Sequence, residues 1–162
     1  MSYVIVDIDG TLADCSHRLV HIVDPITGEK LKKANWKKFF ENCIEDKPIS
    51  IVIETIERLS AHGFSVFLVT GRPDEMYNET MKWCDRHLTF RYEGILMRKE
   101  GDFRPDFEVK KELFQEIVDF FKGDKPTMIF DDKDSIIEMA LELDFFPVDV
   151  KGITGERKFG NL

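Results

Sequence analysis

Short runs of consecutive apolar residues alternate along most of this chain with segments whose apolar residues recur every three to four positions. Continuous short runs are typical of strands buried on both faces of a sheet, and the longer spacing is typical of amphipathic helices. Strands are predicted over residues 3–8, 64–69, 94–97, 127–130 and 145–150. Helices are predicted over residues 48–62, from Pro73 through Cys84, from Val109 to Phe121, and from Ile136 to Leu141. The alternation predicts an α/β fold in which a Rossmann-like parallel sheet carries helices on both faces.

Residues 13–47 interrupt this alternation. They contain a predicted turn over residues 24–28 and a short predicted helix near residues 35–43. We therefore predict a single domain over residues 1–162, in which residues 13–47 form a small cap over the carboxyl end of the first strand. The glycine-containing tail from Lys151 is predicted to be mobile, as chain ends commonly are.

Composition excludes several classes of protein. The chain has 162 residues, of which 43% are hydrophobic, as is typical of a globular domain with a full core. No apolar run reaches the roughly 20 residues that span a bilayer, and no signal peptide is visible before the first strand. The three cysteines form no metal-binding pattern, which favours reduced thiols in a cytoplasmic protein. A net charge of −8 argues against a general nucleic-acid binder, so contact with nucleic acid would require a local basic patch.

Two aspartates, Asp7 and Asp9, lie at the end of the first apolar run and directly before Gly10. Alternate residues of a strand point in the same direction, so both carboxylates leave the strand on one side. Open α/β sheets bind their ligands at this carboxyl end of the strands. Neighbouring carboxylates repel each other and require a cation or a proton. The pair therefore predicts a Mg²⁺ site with one nucleophilic aspartate and one acid/base aspartate.

Polar groups also follow two other predicted strands, and a lysine lies near a helix start. Thr70, Gly71 and Arg72 follow the second strand, and Asp131 and Asp132 follow the fourth. The carboxyl ends of parallel strands share one edge, so these groups are expected to converge with the first pair. Phosphoryl transfer requires a nucleophile, an acid/base group, a cation and donors to the phosphoryl oxygens, and this set supplies all four.

Four motifs occur in order: D-I-D-G-T-L from Asp7, V-T-G-R from Val69, a lysine at position 110, and F-D-D-K-D from Phe130. In this the chain resembles the haloacid dehalogenase superfamily of phosphotransferases. More narrowly, residues 98–110 resemble the R-x-x-G-D-x-R-x-D-x-x-V-K signature of the 3′-phosphatase domains of phage polynucleotide kinase-phosphatases. Arg18 lies eleven residues after Asp7, where that family has a functional arginine. The resemblance extends over roughly residues 4–139 and is weaker in the cap and at the C-terminus.

The resemblance implies a haloacid dehalogenase-like fold and a role for each motif residue. Asp7 would be the nucleophile and Asp9 the general acid and base. Lys110 would neutralise charge on the phosphoryl group, and Asp106 would orient Lys110. The implied ligands of Mg²⁺ are Asp7, Asp9, Asp131 and Asp132. The implied contacts to phosphate or substrate are Arg18, Thr70, Gly71 and Arg72. Because a G-x-x-x-x-G-K-[ST] loop is missing, no kinase activity is expected.

The expected function is Mg²⁺-dependent phosphomonoester hydrolysis through an aspartyl-phosphate, with a 3′-phosphate at a nucleic-acid end as the substrate. The expected partner is therefore a phosphorylated nucleic-acid end or a nucleotide, with no membrane and no obligate protein partner. Two alternatives remain open: a soluble nucleotidase acting on mononucleotides, and a non-catalytic module that binds phosphate or protein. A calcium-binding loop is disfavoured because Leu12 and Arg18 occupy the positions that require glycine and glutamate.

The predicted cap contains a cluster of lysines around Trp36: Lys30, Lys32, Lys33, Lys37 and Lys38. Phe39 and Phe40 follow Trp36 directly. Cations beside an aromatic side chain can hold single-stranded nucleic acid. The simpler interpretation is a solvated helix face with a buried aromatic side. Arg18 is similarly open to two interpretations, as a substrate contact or as a surface charge.

Overall fold

The computed structural model describes residues 1–154. Its strands are β1 (Tyr3–Val6), β2 (Ala13–Asp14), β3 (Lys47–Pro48), β4 (Ser65–Pro73), β5 (Gly94–Arg98), β6 (Met128–Asp131) and β7 (Pro147–Asp149). Its α-helices are α1 (Trp36–Glu41), α2 (Ser50–Ala61), α3 (Tyr77–His87), α4 (Asp106–Phe120), α5 (Asp134–Glu142) and α6 (Val150–Thr154). Five strands form a parallel sheet in the order β5-β4-β1-β6-β7, while β2 and β3 form a separate antiparallel pair.

The central strand β1 separates two hydrophobic clusters. Val4 and Val6 pack on one face in a cluster that includes Trp83 of α3 and residues of α2. Tyr3 and Ile5 pack on the other face with residues of α4 and α5. Every residue of β1 is buried, which explains why this strand reads as a continuous apolar run. The predicted α/β fold with helices on both faces of a parallel sheet is therefore confirmed.

The register of the sheet aligns the ends of its three middle strands. Val6 of β1 pairs with Leu68 of β4 on one side and with Phe130 of β6 on the other. The Asp7 amide then donates a hydrogen bond of 2.9 Å to the Phe130 carbonyl oxygen. Because β4 extends to Pro73 and β6 to Asp131, the predicted site residues Thr70, Gly71, Arg72 and Asp131 lie in the last part of these strands instead of after them, and they emerge with Asp7 at one edge of the sheet.

Residues 13–47 lie between β1 and α2 and contain β2, α1 and two short 3₁₀ helices, Ser16–His21 and Asn42–Glu45. Antiparallel pairing of β2 with β3 brings the two ends of this segment together. The helix predicted near residues 35–43 is divided into α1 and the second 3₁₀ helix. Asn35 caps α1, because its side-chain oxygen accepts a 3.0 Å hydrogen bond from the Lys38 amide.

Three local predictions require correction. Pro73 ends β4 instead of opening a helix, and a 3₁₀ turn (Asp74–Met76) precedes α3. Its backbone is extended (φ −65°, ψ 147°), a conformation that proline adopts as readily as the first turn of a helix. The predicted last strand shortens to β7, and the next residues form α6, so the part of the tail up to residue 154 is helical. The remainder of the predicted mobile tail lies outside the described residues. Within residues 1–154, no helix is both long enough and apolar enough to cross a bilayer.

Candidate active site

The loop that follows β1 fixes Asp7 at the edge of the sheet. Asp7 is 4% exposed, and its Oδ2 accepts a 3.0 Å hydrogen bond from the Thr11 hydroxyl. The loop turns at Gly10, whose φ of +83° favours glycine. A Cβ atom at this position would collide with the carboxylate of Asp132. Gly10 therefore serves both the turn and the close approach of Asp132.

Lys110 joins the end of β1 to the end of β6. It projects from the second turn of α4, is 1% exposed, and donates to Asp7 Oδ1 at 2.8 Å and to Asp131 Oδ2 at 2.7 Å. Burial alone would lower the pKa of Lys110, but the charges of Asp131 and Asp7 outweigh it and hold this pKa well above its usual value. The ammonium is therefore a fixed positive charge beside Asp7.

Asp7, Asp131 and Asp132 offer carboxylate oxygens that all lie within 4.8 Å of one another. Burial and the charge of Asp131 raise the pKa of Asp7 well above its usual value, and the same causes raise the pKa of Asp132 to about 6. Asp132 Oδ1 is buried and has no hydrogen-bond partner in the described part of the chain. A buried oxygen without a partner, in a group of oxygen donors that repel one another, fits a hard divalent cation. These three residues can therefore hold a metal ion.

The carboxylate of Asp9 lies outside this group and is bound by two arginines. Arg18 Nη2 donates to Asp9 Oδ1 at 2.6 Å, and Arg72 donates to the same oxygen through Nη2 at 2.6 Å and Nε at 3.0 Å. Burial tends to raise the pKa of Asp9, but Arg72 and Arg18 outweigh it and lower this pKa to about 2. Asp9 is therefore an ionised carboxylate in the chain on its own, and a metal contact through its carboxylate remains a prediction.

A residue that sequence reasoning missed, Asp46, completes the arginine cluster. It is 2% exposed and accepts from Arg18 through both oxygens, Oδ1 at 2.8 Å and Oδ2 at 2.6 Å. Arg72 Nη2 reaches Asp46 Oδ2 at 3.2 Å, and the Trp83 indole donates to the Asp46 carbonyl oxygen at 2.8 Å. Two buried arginines require more than one carboxylate, but the sequence does not indicate which acidic residue of the insertion supplies the second.

Arg18 and Arg72 are fully buried, so the interpretation of Arg18 as a surface charge is wrong. Their guanidinium groups contact Asp9 and Asp46, and a direct contact with substrate phosphate remains a prediction for both. Thr70 is also fully buried, and its hydroxyl accepts a 3.2 Å hydrogen bond from the Arg72 amide.

Asp106 lies next to Lys110, as the sequence predicts, but it has stronger partners. Its Oδ2 is 3.8 Å from Lys110 Nζ and accepts a 2.7 Å hydrogen bond from Lys133 Nζ, while its Oδ1 accepts from Arg98 at 3.0 Å. A Cβ atom at Gly71 would collide with the Asp106 carboxylate. The glycine at position 71 thus lets α4 approach the end of β4.

The structure therefore places the predicted site residues in three adjoining groups. The first group is the acidic cluster with its lysine: Asp7, Asp131, Asp132 and Lys110. The second is the arginine cluster: Asp9, Arg18, Arg72 and Asp46, with Thr70 beside it. The third is Asp106 with Arg98 and Lys133, next to Gly71.

Comparison with known proteins adds a family and a fold. A family model described as the polynucleotide kinase PNKP phosphatase domain matches residues 1–151. A chain in a structure of the Pnkp1/Rnl/Hen1 complex is 24% identical, with a TM-score of 0.71 over 92% of this chain and 45% of that one. A chain from the Pnkp1/Rnl/Hen1 RNA repair complex is 23% identical, with a TM-score of 0.68 over 92% of this chain and 42% of that one. This chain thus spans less than half the length of either. A class C acid phosphatase from Bacillus anthracis shares the fold at 16% identity, with a TM-score of 0.59 over 99% of this chain and 74% of that one.

Removing the charge of Asp46 is expected to destabilise the fold. Asp46→Asn keeps the shape of the side chain but leaves Arg18 and Arg72 with one fewer buried counter-charge. We expect the free energy of unfolding, measured by urea denaturation, to fall by about 3–5 kcal/mol. Asp85→Asn, on the exposed face of α3, is the matched control and should change it by less than about 0.5 kcal/mol. A loss for Asp46→Asn no larger than the control would contradict the role assigned to Asp46.

Neutralising Asp132 is expected to stabilise the metal-free chain in a pH-dependent way. The pKa of Asp132 is about 6 in the folded chain against an ordinary 3.8, so ionisation of this carboxyl destabilises the folded state. This destabilisation is absent below about pH 4 and is complete above about pH 6. With chelator at pH 8, Asp132→Asn should raise the free energy of unfolding by about 3 kcal/mol. The gain should disappear at pH 4. A difference that is the same at both pH values would refute this account of the acidic cluster.

Proposed function

Because the chain belongs to the family of polynucleotide kinase PNKP phosphatase domains, we propose that it is a Mg²⁺-dependent phosphomonoesterase that removes 3′-phosphates from nucleic-acid ends. Membership of this family makes the chain a phosphatase domain. The proposal adds three points to this activity: the use of Mg²⁺, an aspartyl-phosphate intermediate, and a 3′-phosphate at a nucleic-acid end as the substrate. One observation carries it, namely that the Asp7 carboxylate contacts Lys110 and lies within the acidic cluster.

In the proposed first step, an Asp7 carboxylate oxygen attacks phosphorus, and the bond from phosphorus to the sugar oxygen breaks. The hydrogen bonds from Thr11 and Lys110 fix the orientation of the Asp7 carboxylate before attack. The Lys110 ammonium offsets negative charge on the transferring group, and it needs no reorganisation to do so because it is already held in place. In the second step, water attacks the aspartyl-phosphate, which releases inorganic phosphate and restores Asp7.

Asp7, Asp131 and Asp132 would hold the Mg²⁺ ion, which would supply positive charge to the phosphoryl oxygens. The raised pKa values of Asp7 and Asp132 mean that protons compete with the metal at mildly acidic pH.

Asp9 is assigned the proton transfers in this proposal. Its pKa of about 2 keeps Asp9 ionised, which the second step requires because an ionised carboxylate there accepts a proton from the attacking water. Donating a proton to the leaving oxygen in the first step requires a higher pKa. A phosphate anion close to Arg18 and Arg72 would offset their charge and raise the pKa of Asp9. Substrate binding and protonation of Asp9 are therefore coupled.

The lysines at positions 110 and 111 provide a matched test of the chemistry. Lys110 is buried beside Asp7, whereas its neighbour Lys111 is exposed. We expect Lys110→Ala to lower kcat for an aryl phosphate by about 10²–10³, because it removes fixed charge from a desolvated site. Lys111→Ala should retain the wild-type rate, and thermal melting by circular dichroism establishes that each variant is folded. Similar rates for the two variants would refute the role of Lys110.

The substrate is tested by phosphate release from three compounds: a 3′-phosphorylated oligonucleotide, a 3′-mononucleotide and a 5′-mononucleotide. Each is assayed with Mg²⁺ and with chelator, and Asp7→Asn controls for contaminating phosphatases. We expect the oligonucleotide to give the highest kcat/KM, with no release in chelator or by Asp7→Asn. Support for a nucleic-acid end comes from the family and from the RNA repair complex that contains a structural relative. Preference for a mononucleotide would favour the nucleotidase alternative instead.

A further inference from the structure

We propose that the exposed face of the cap around Trp36 binds the single-stranded segment that precedes the phosphorylated end. We call this face the cap lysine patch, and its residues are Lys30, Lys32, Lys33, Trp36, Lys37 and Lys38. The inference rests on the proposed function, since it assigns a path to the strand whose end reaches Asp7. It goes further by naming a surface away from the reacting atoms.

Positive charge is concentrated in this patch, although the chain as a whole is acidic. Five lysines lie within residues 30–38, no acidic residue occurs between Glu29 and Glu41, and the chain as a whole has a net charge of −8. All five lysines are exposed. Lys37 lies 3.8 Å from Glu41, a pair that is open to solvent and therefore weak. A local patch of cations on an acidic protein is complementary to a phosphodiester backbone.

Trp36 gives the patch an aromatic surface. Its side chain is held edge-on against Phe39, with ring centroids 5.6 Å apart, and lies beside Phe40 at 5.9 Å. Trp36 nevertheless remains 42% exposed, and Lys30 Nζ lies 5.1 Å from its ring centroid. A supported indole that is open to solvent, with one lysine ammonium beside its ring and four more exposed lysines close in sequence, is the kind of surface on which bases of single strands stack. The interpretation of this face as a wholly buried aromatic side fits Phe39, which is 6% exposed, but does not fit Trp36.

Only one layer of side chains separates the patch from the site. The Arg18 guanidinium lies over the Phe39 ring at 4.3 Å and donates to the Phe39 carbonyl oxygen at 3.2 Å. The same guanidinium donates to Asp9. Trp36, Phe39, Arg18 and Asp9 therefore form a continuous path of contacts from the surface to the proposed acid and base. In this proposal, a strand with its end at Asp7 extends over this surface.

The first experiment compares two triple variants that remove the same net charge. One removes charge from the patch: Lys32→Gln, Lys33→Gln and Lys37→Gln. The matched control removes exposed lysines elsewhere: Lys82→Gln, Lys111→Gln and Lys122→Gln. For the patch variant, we expect KM for a 3′-phosphorylated octanucleotide to rise about tenfold relative to KM for an aryl phosphate, which has no strand. We also expect the slope of log KM against log salt to fall by about 2, since each lost phosphate contact on a single strand removes about 0.7.

The second experiment measures binding without turnover, so it decides the inference even if no phosphate is released. Of the two tryptophans, Trp83 is fully buried and hydrogen-bonded to Asp46, so quenching of tryptophan emission by an added strand reports on Trp36. A 3′-hydroxyl octanucleotide in chelator is expected to quench the wild type. Trp36→Leu should lose the quenching and bind a labelled octanucleotide about tenfold more weakly by fluorescence anisotropy.

The outcomes separate this inference from the proposed function. Equal shifts in the patch and control triples, or undiminished binding by Trp36→Leu, would overturn the patch while leaving the phosphatase proposal intact. Quenching by poly-glutamate as strong as that by the octanucleotide would also overturn it, because an acidic peptide would then be an equivalent occupant. Absence of phosphate release from every oligonucleotide, with quenching and binding as expected, would overturn the proposed substrate and retain the patch as a strand-binding surface.

Discussion

Compensation of buried charge governs the architecture at this edge of the sheet. Among the described residues, three cationic side chains, those of Lys110, Arg18 and Arg72, contact the two innermost groups of carboxylates. These groups contain five carboxylates, which belong to Asp7, Asp9, Asp46, Asp131 and Asp132. If all are ionised, two negative charges lack a lysine or arginine partner, which equals the charge of one divalent cation. His17, whose Nε2 lies 2.8 Å from Asp46 Oδ1, reduces this deficit only when it is protonated. In the chain alone, the raised pKa values of Asp7 and Asp132 express this deficit, because protons replace the missing charge.

The arginine cluster also explains how the insertion is attached to the sheet. Arg18 lies near the start of the insertion, Asp46 lies near its end, and Arg72 belongs to β4. Their mutual contacts join both ends of the insertion to the scaffold and to Asp9. A change within the insertion can therefore alter the orientation and the pKa of Asp9 without touching it. The insertion contributes to the chemistry through this cluster as well as through the surface that it exposes.

The parts of this picture that the sequence predicted depend on local patterns. The apolar run of β1 and the convergence of Asp7 with Asp131 follow from strand alternation and from the shared edge of parallel strands. The place of Lys110, which lies on α4, followed instead from the family resemblance. Asp46 was not predicted because its partners, Arg18 and Arg72, are distant in sequence. A pairing between distant residues produces no periodic pattern of apolar and polar positions. Similarly, the spacing of Tyr77, Thr80, Met81 and Cys84 predicts that Tyr77 lies on the inner face of α3, but its side chain is 46% exposed.

The large aromatic side chain buried on the inner face of α3 is that of Trp83, whose indole donates to the Asp46 carbonyl oxygen. Only the folded insertion creates this contact. Pro73 shows a further limit of local patterns. Its fixed φ suits both an extended strand end and the first turn of a helix, so the residue alone cannot distinguish them. In each case the missing information is tertiary.

The arginines of the site are already paired with carboxylates, which limits the cations that can attract a substrate strand. Arg18 and Arg72 are fully buried, and carboxylates already accept their strongest hydrogen bonds. Arg98 and Lys133 are likewise paired with Asp106. Cations committed in this way gain little from a phosphodiester several nucleotides from the end, because each would have to give up a partner of equal charge. Attraction of an anionic strand to an acidic protein must then come from exposed lysines. Five of these lie within residues 30–38, and Trp36 of the same segment packs against Phe39, which contacts Arg18.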